Sequence, residues 1–217
     1  FDLPTARYSR RRLSAALGKA AISDSIICSV VPDKTITLKK DLRQLLGRSS
    51  YIIGKDIRVP VKNLYRKPGQ VGQDRLVNAF AAMVLYGAPC IIVDSGTAVT
   101  FDVISGRKEY LGGLILPGIN MSLDALYERT ALLPRVRPGR PKEFIGRDTG
   151  NSILSGIVYG FAAFTDTLIT GIKKKTGGRA KVIGTGGNIE LIRRYCRKIE
   201  IIERDLTLKG LNLLYYF

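Results

Sequence analysis

The sequence predicts a mixed α/β fold with antiparallel hairpins, arranged in two lobes. Three observations predict it. Residues 89–117 hold three β-rich runs in close succession, "IIVD", "TFDVI" and "YLGGLIL", the pattern of a meander. At 182–192, "VIGTGGNIELI" reads as strand, glycine turn and helix. Helical periodicity flanks both, and the strict β-α alternation of a plain parallel doubly wound sheet is missing through the meander.

Taken in order, the chain opens with a basic, extended segment at Phe1. "DSIICSVV" at 24–31 is β-branched and apolar, a buried strand that Pro32 ends. Helical spacing at Ile36, Leu38, Leu42, Leu45 and Leu46 predicts a helix over 33–47. "YIIG" at 51–54 is a short strand, and 55–71, with Pro60 and the "KPGQ" turn, is loop. A helix is expected from about Gly72 to Tyr86 with Leu76, Phe80, Met83 and Val84 on one face. After the meander come helices at 121–130 and 149–175, separated by the basic, proline-rich "PRVRPGRPKEF". The chain closes with a strand in "AKVIGTGG", a helix in "NIELIRRYC", a strand in "IEIIE" and a helix in "LTLKGLNLLYYF". The lobes are expected at 1–88 and 89–217.

With 217 residues, 45% apolar and 24% charged, the chain can bury a sizeable core. No apolar run reaches the roughly 18–20 residues of a membrane span, so no membrane partner is expected. Cys28, Cys90 and Cys196 lie far apart, which is neither a disulfide framework nor a metal pattern and points to a reducing cytoplasm. The chain has no His, so imidazole catalysis and imidazole metal ligation are ruled out, and acid–base work falls to Asp, Glu, Lys or Tyr. The net charge of +17 is spread over "YSRRR", "TLKKDLR", "IKKK" and "RRYCRK". Aromatics do not interleave with these runs as a base-stacking platform requires, so solvated helix faces are expected rather than a nucleic-acid surface.

Four stretches carry candidate chemistry. In "CIIVDSGTAVTFDVI", Asp94 ends an apolar run, and small Ser95 and Gly96 let backbone amides approach an anion. Thr97 and Thr100 add hydroxyls, and Asp94 with Asp102 is a candidate pair for a cation; plain turn chemistry is the competing reading. In "YRKPGQVGQDRLVNAFAAM", Asp74 and Arg75 fall in the first turn of a helix with Asn78 one turn on. A carboxylate is a weak base toward a hydroxyl, but it suffices where proton transfer is late in a loose phosphoryl-transfer transition state. Arg75 has the planar fork that suits a carboxylate. Asp148, Thr149 and Ser152 sit where the long helix starts, as cap or as substrate contact. Gly186 and Gly187 make a turn whose amides can face a nucleotide.

Together these stretches resemble the type III pantothenate kinase family of the acetate/sugar kinase–Hsp70–actin superfamily. "YRKPGQVGQDR", "VDSGTAVTFDVI", "YLGGLILPGI", "TALLPRV", "IGRDTGNSILSG", "VIGTGG" and "DLTLKGLNLLY" match in order. The resemblance implies duplicated ribonuclease H-like, actin-like ATPase lobes and phosphorylation of pantothenate by ATP, the first step of coenzyme A biosynthesis. It further implies a divalent metal such as Mg²⁺, a monovalent cation (K⁺ or NH₄⁺), and a homodimer with the site at its interface. Carried over, Asp74 is the base toward the pantothenate hydroxyl. Tyr65, Gly72, Gln73, Asp74 and Arg75 hold pantothenate, with Thr149 from the partner subunit. Asp94 binds the monovalent cation, and Gly96, Thr97, Gly186 and Gly187 lie on the ATP side.

The family opens with an apolar strand and Asp-x-Gly-Asn-Thr, the first phosphate loop. That motif does not occur in these 217 residues, so the hairpin at 90–104 matches the second loop and the first lobe is expected to be incomplete. Two other readings compete. One is a catalytically silent regulator or DNA-associated protein like the Bvg accessory factor, to which the +17 charge lends support. The other is a kinase of a different small acid.

Overall fold

The computed structural model describes residues 7–217, so the extended start expected at Phe1 lies outside them. Ser9 caps the first helix, its hydroxyl accepting the Arg12 amide at 3.3 Å, and α1 (Arg10–Leu17) follows. β1 (Ile26–Ile27) runs into α2 (Pro32–Leu46), which starts on proline and ends at the left-handed Gly47. β2 (Tyr51–Ile52) pairs with β1 in parallel. Leu13 and Leu42 close these helices over Ile27. The strand expected over 24–31 is therefore two residues long. Its partner is paired only at Tyr51 and Ile52 before the chain turns at Gly54, whose φ is 84°.

The larger sheet is built from later elements. β3 (Lys62–Asn63) and α3 (Gln73–Tyr86) precede the meander β4 (Cys90–Ser95), β5 (Ala98–Ile104) and β6 (Glu109–Pro117). α4 (Ile119–Glu128), α5 (Thr149–Thr176), β7 (Lys181–Thr185), α6 (Ile189–Arg193), β8 (Ile201–Ile202) and α7 (Leu206–Tyr216) complete the chain. The strand order is β3-β6-β5-β4-β7-β8. The meander is antiparallel, and β7 and β8 add in parallel through helical crossovers, as expected for mixed α/β. β3 and α3, which fall in the first lobe by sequence order, belong to this second sheet by pairing and packing.

Alternation along the strands sends side chains to two cores. Ile91, Val93, Val99 and Phe101 meet α4 and α5 on one face. Cys90, Ile92, Ile104 and Tyr110 meet α3 on the other, with Leu76, Ala79 and Ala82. Residues 75–82 of α3 are all buried because α7 packs on its outer side through Leu211 and Leu214 against Val77 and Phe80. Val84, expected on the buried face, is 49% exposed, while its neighbours Met83 and Tyr86 pack against the core. α5 is long and apolar enough to cross a membrane, contrary to the sequence expectation, although one of its faces is built into the first core. All three cysteines are free, and Arg10–Arg12 and Lys174–Lys175 face solvent.

The α3–α7 crossing depends on Gly210. A Cβ there would lie 2.7 Å from Val77 Cγ1 and 2.9 Å from the Val77 carbonyl oxygen. Gly210→Ala gains about 1 kcal/mol of helix propensity, but backbone contact at that distance forces the helices apart. A net loss of about 1–3 kcal/mol is expected, read as a lower urea midpoint; an unchanged or higher midpoint contradicts the close crossing.

Candidate active site

Gly72 caps α3, and the Asp74 carboxylate folds back over the helix start, its Oδ1 accepting the Arg75 amide at 2.8 Å. A Cβ on Gly72 would sit 2.4 Å from that same oxygen, so only glycine leaves the carboxylate this position. Cys28 comes close from β1's side: burial, then the Asp74 charge, push its thiol to about 12. The Gln73 side chain packs on Gly54, where a Cβ would lie 2.6 Å from Gln73 Cδ.

Arg75 points the other way, into the sheet. Its Nε donates to Asp102 Oδ1 at 2.9 Å, and Nη2 stands 2.7 Å from the same oxygen. Tyr110 donates to Asp102 Oδ1 at 2.6 Å and Thr100 to Oδ2 at 3.3 Å. Burial raises the Asp102 pKa, against the opposing pull of Arg75 and these donors. Two expectations change here. Asp102 is committed to protein partners and is not a cation ligand beside Asp94, and the Thr100 hydroxyl serves Asp102 rather than a bound anion. The Arg75 fork finds its carboxylate inside the protein; its buried Nη2 has no well-directed hydrogen bond among the described residues and lies beside Gly113. A cleft of about 530 Å³ opens next to it, lined by Tyr65, Arg66, Lys67, Gln70, Gly112 and Gly113. Tyr65 stacks toward Gly112 and Tyr110, with ring centroids 6.5 Å apart for the two tyrosines.

At the end of β4 the second sub-site forms. Asp94 Oδ2 accepts from Asn78 Nδ2 at 3.1 Å, while Oδ1 makes no hydrogen bond among the described residues. Gly186, with φ 90°, comes so near that a Cβ would be 2.4 Å from Asp94 Oδ1. The Asn188 amide donates to the Ser95 carbonyl at 2.9 Å, locking the Gly186–Gly187 turn onto the hairpin. The structure thus brings Asp94, Gly96, Gly186 and Gly187 together. Thr97 is exposed at the hairpin tip, and its carbonyl abuts Gly118. The Gly96 amide is spent on the Ala98 carbonyl at 3.1 Å, so it is not one of the amides open to an anion. Ser95 is fully buried, and its hydroxyl has no hydrogen-bond partner among the described residues.

Burial, then the charges of Asp74 and Asp102, raise the Asp94 pKa from 3.8 to about 6, with Asn78 opposing. Asp74 is therefore close enough to act electrostatically on the hairpin. A carboxylate so placed, with one open oxygen, fits a single cation. No group of three Asp, Glu, Cys or His converges among the described residues, so a divalent ion finds no protein cage. Mg²⁺ ordinarily needs only one or two carboxylates together with nucleotide phosphates.

Thr149 stands apart. It is exposed in the first turn of α5 behind the cap Asp148, whose Oδ1 accepts the Asn151 amide at 2.8 Å. α5 packs on the sheet face opposite α3, so Thr149 does not join Tyr65, Asp74 and Arg75 within this chain. Sequence reasoning missed Tyr110, Gly112 and Gly113 as parts of the site. The adjacent glycines inside a strand were the available signal, since such glycines mark close approach of another group.

Three antiparallel strands extended by two parallel ones make a ribonuclease H-like sheet. With one carboxylate at the end of β4 and another at the start of α3, the site holds the groups a phosphotransferase would use. Sequence comparison narrows it: the model of the type III pantothenate kinase family matches residues 5–171. A type III pantothenate kinase of Syntrophotalea carbinolica is 40% identical over 194 residues, covering 89% of this chain and 76% of that protein. The one from Rubrobacter xylanophilus is 45% identical over 196 residues, covering 88% and 74%. The chain belongs to the type III pantothenate kinase family, enzymes that phosphorylate pantothenate with ATP in the first step of coenzyme A biosynthesis. A solved Campylobacter jejuni structure, described as a conserved Baf-family transcriptional activator, shares the fold with a TM-score of 0.57 at 19% identity. It covers 94% of this chain and 87% of its own.

The raised Asp94 pKa has a consequence for stability. Between 3.8 and about 6 the folded chain binds more protons than the unfolded one, so this group's stabilisation is present at low pH and lost as pH rises through about 6. In buffer free of potassium and ammonium, Asp94→Asn is expected to be more stable than the parent at pH 8 by at most about 3 kcal/mol. The gain should shrink toward pH 4 in urea unfolding; a pH-independent difference contradicts the assignment.

Proposed function

We propose that Asp74 is the proton acceptor for the pantothenate hydroxyl and that Asp94 holds a monovalent cation beside the ATP phosphates. The observation that carries this reading is the convergence of two elements distant in sequence. One turn after Asp74 on α3, Asn78 donates to Asp94 Oδ2 at 3.1 Å, so the helix start and the end of β4 lie against each other. The Asp74 charge adds to the upward push on Asp94. In a loose phosphoryl-transfer transition state the hydroxyl proton leaves late, so a carboxylate held in line is an adequate acceptor. Gly72 keeps Asp74 in that position, and the cleft beside Tyr65, Gly112 and Arg75 Nη2 receives pantothenate.

On the nucleotide side, Thr97 offers a hydroxyl at the hairpin tip, and the Gly186–Gly187 turn lets the nucleotide approach the backbone. A divalent ion bound with ATP neutralises phosphate charge. A potassium or ammonium ion at Asp94 Oδ1 offsets the clustering of Asp74, Asp94 and Asp102 on one side of the sheet. Free thiols fit a reducing cytoplasm.

The placement of Thr149 supports a homodimer. This chain's own Thr149 lies on the wrong face of the sheet, and next to it Phe144 and Ile145 are exposed. A second copy of the chain completes the site with its Thr149 and covers those apolar side chains.

In a coupled ATP assay with pantothenate and potassium, Asp74→Asn should lower kcat about 10²- to 10⁴-fold with ATP binding retained. Near-parental turnover in that variant refutes the base assignment. Mixing inactive Asp74→Asn with a Thr149→Ala variant should restore activity, because one site of the mixed dimer is intact. No recovery after subunit exchange places Thr149 outside the partner's site.

A further inference from the structure

Asp94 is held by residues that reach neither the hairpin tip nor the Tyr65 cleft. Asn78 Nδ2 donates to Asp94 Oδ2 at 3.1 Å, and Thr207 Oγ1 donates to Asn78 Oδ1 at 2.6 Å across 129 residues of sequence. Chemistry sets the direction of this chain. An ionised carboxylate only accepts, so Asn78 must present its NH₂ to Asp94 and turn its carbonyl away. That carbonyl belongs to a residue only 1% exposed and therefore needs a donor inside the protein, which the Thr207 hydroxyl supplies. With the amide reversed, two acceptors would face each other at Asp94.

We propose that Asn78 and Thr207 are positioning residues for the cation site. They pin Oδ2 of Asp94, so that Oδ1 alone is presented toward Gly96 and Gly186. Thr207 stands in the first turn of α7, and the tight Gly210 contact with Val77 sets that helix's register against α3. The closing helix thereby reaches the phosphate side of the site through two hydrogen bonds. This inference rests on the reading of Asp94 as the monovalent-cation ligand.

The test compares Thr207→Val, which keeps the shape and removes the donor, with Thr207→Ser, which keeps the donor. Melting temperatures are followed with ATP and no pantothenate while choline chloride is replaced by potassium chloride at constant ionic strength. The parent should gain potassium-specific stabilisation and Asp94→Asn should lose it. Thr207→Val should need about three- to tenfold more potassium for half the effect, the loss of one hydrogen bond. Thr207→Ser should stay within about twofold of the parent, with circular dichroism confirming that each variant is folded. In steady state the potassium activation constant of Thr207→Val should rise, while its pantothenate KM stays at the parent value. If the parent shows no potassium-specific shift, the Asp94 reading itself fails. If Asp94→Asn abolishes the shift but Thr207→Val matches the parent, the positioning role alone is overturned. Equal losses in the Val and Ser variants assign Thr207 to packing and also overturn it.

Discussion

The buried contact between Arg75 and Asp102 sets the geometry on which the rest of the site depends. Asp102 is fully buried and Arg75 nearly so, and neither can be left without the other in a low-dielectric interior. Removing one member of such a pair costs about 3–5 kcal/mol, more than most single contacts contribute. Tyr110 and Thr100 take up the remaining acceptor positions of the carboxylate. The pair bolts α3 to β5, and Gly113 makes room for it, because a side chain there would meet the Phe101 carbonyl and Arg75. Asp74 and Asn78, on either side of Arg75 along the helix, inherit their positions from this anchor.

A second constraint follows from the first. With α3 held against the meander, the carboxylates of Asp74, Asp94 and Asp102 share one side of the sheet. Among the described residues, only Asp102 of the three has a cationic side chain as partner. Burial first, and that crowding after it, raise the Asp94 pKa, and Asn78 offsets only part of the shift. In the reading proposed above, a cation held at Asp94 would remove that repulsion, so the strain is stability given up for function.

The two faces of the sheet divide the labour. Odd-numbered strand residues such as Ile91, Val93 and Phe101 build the core under α5, and Ile92, Asp94 and Asp102 point to α3. A period of two makes that division absolute, since no residue on one face can serve the other. Thr149 heads α5, the helix packed on the other face, and so stands apart from the α3 side that carries Asp74 and Asp94.

Much was legible in the residues themselves. The meander, the long helix from Thr149, the glycine turn after β7 and the acidic start of α3 all follow from local patterning, and local patterning is what a sequence states directly. The family motifs pointed to Asp74, Asp94 and the glycines as candidates, whose roles are those proposed above. The sequence did not say how these would be partnered. Arg75 reads as a substrate fork, and Thr100 and Asp102 as phosphate or cation contacts, until the register of Asp102 beside Ile92 and the docking of α3 bring them together. Val84 reads as core until the packing of α3 is known. Thr207, 129 residues from Asn78, has no local signature at all. The sequence by itself determined the elements and the candidate chemical groups. Only the tertiary structure decided which polar groups would be consumed by one another, because satisfying a buried donor or acceptor depends on whatever the fold brings within 3 Å or so of it.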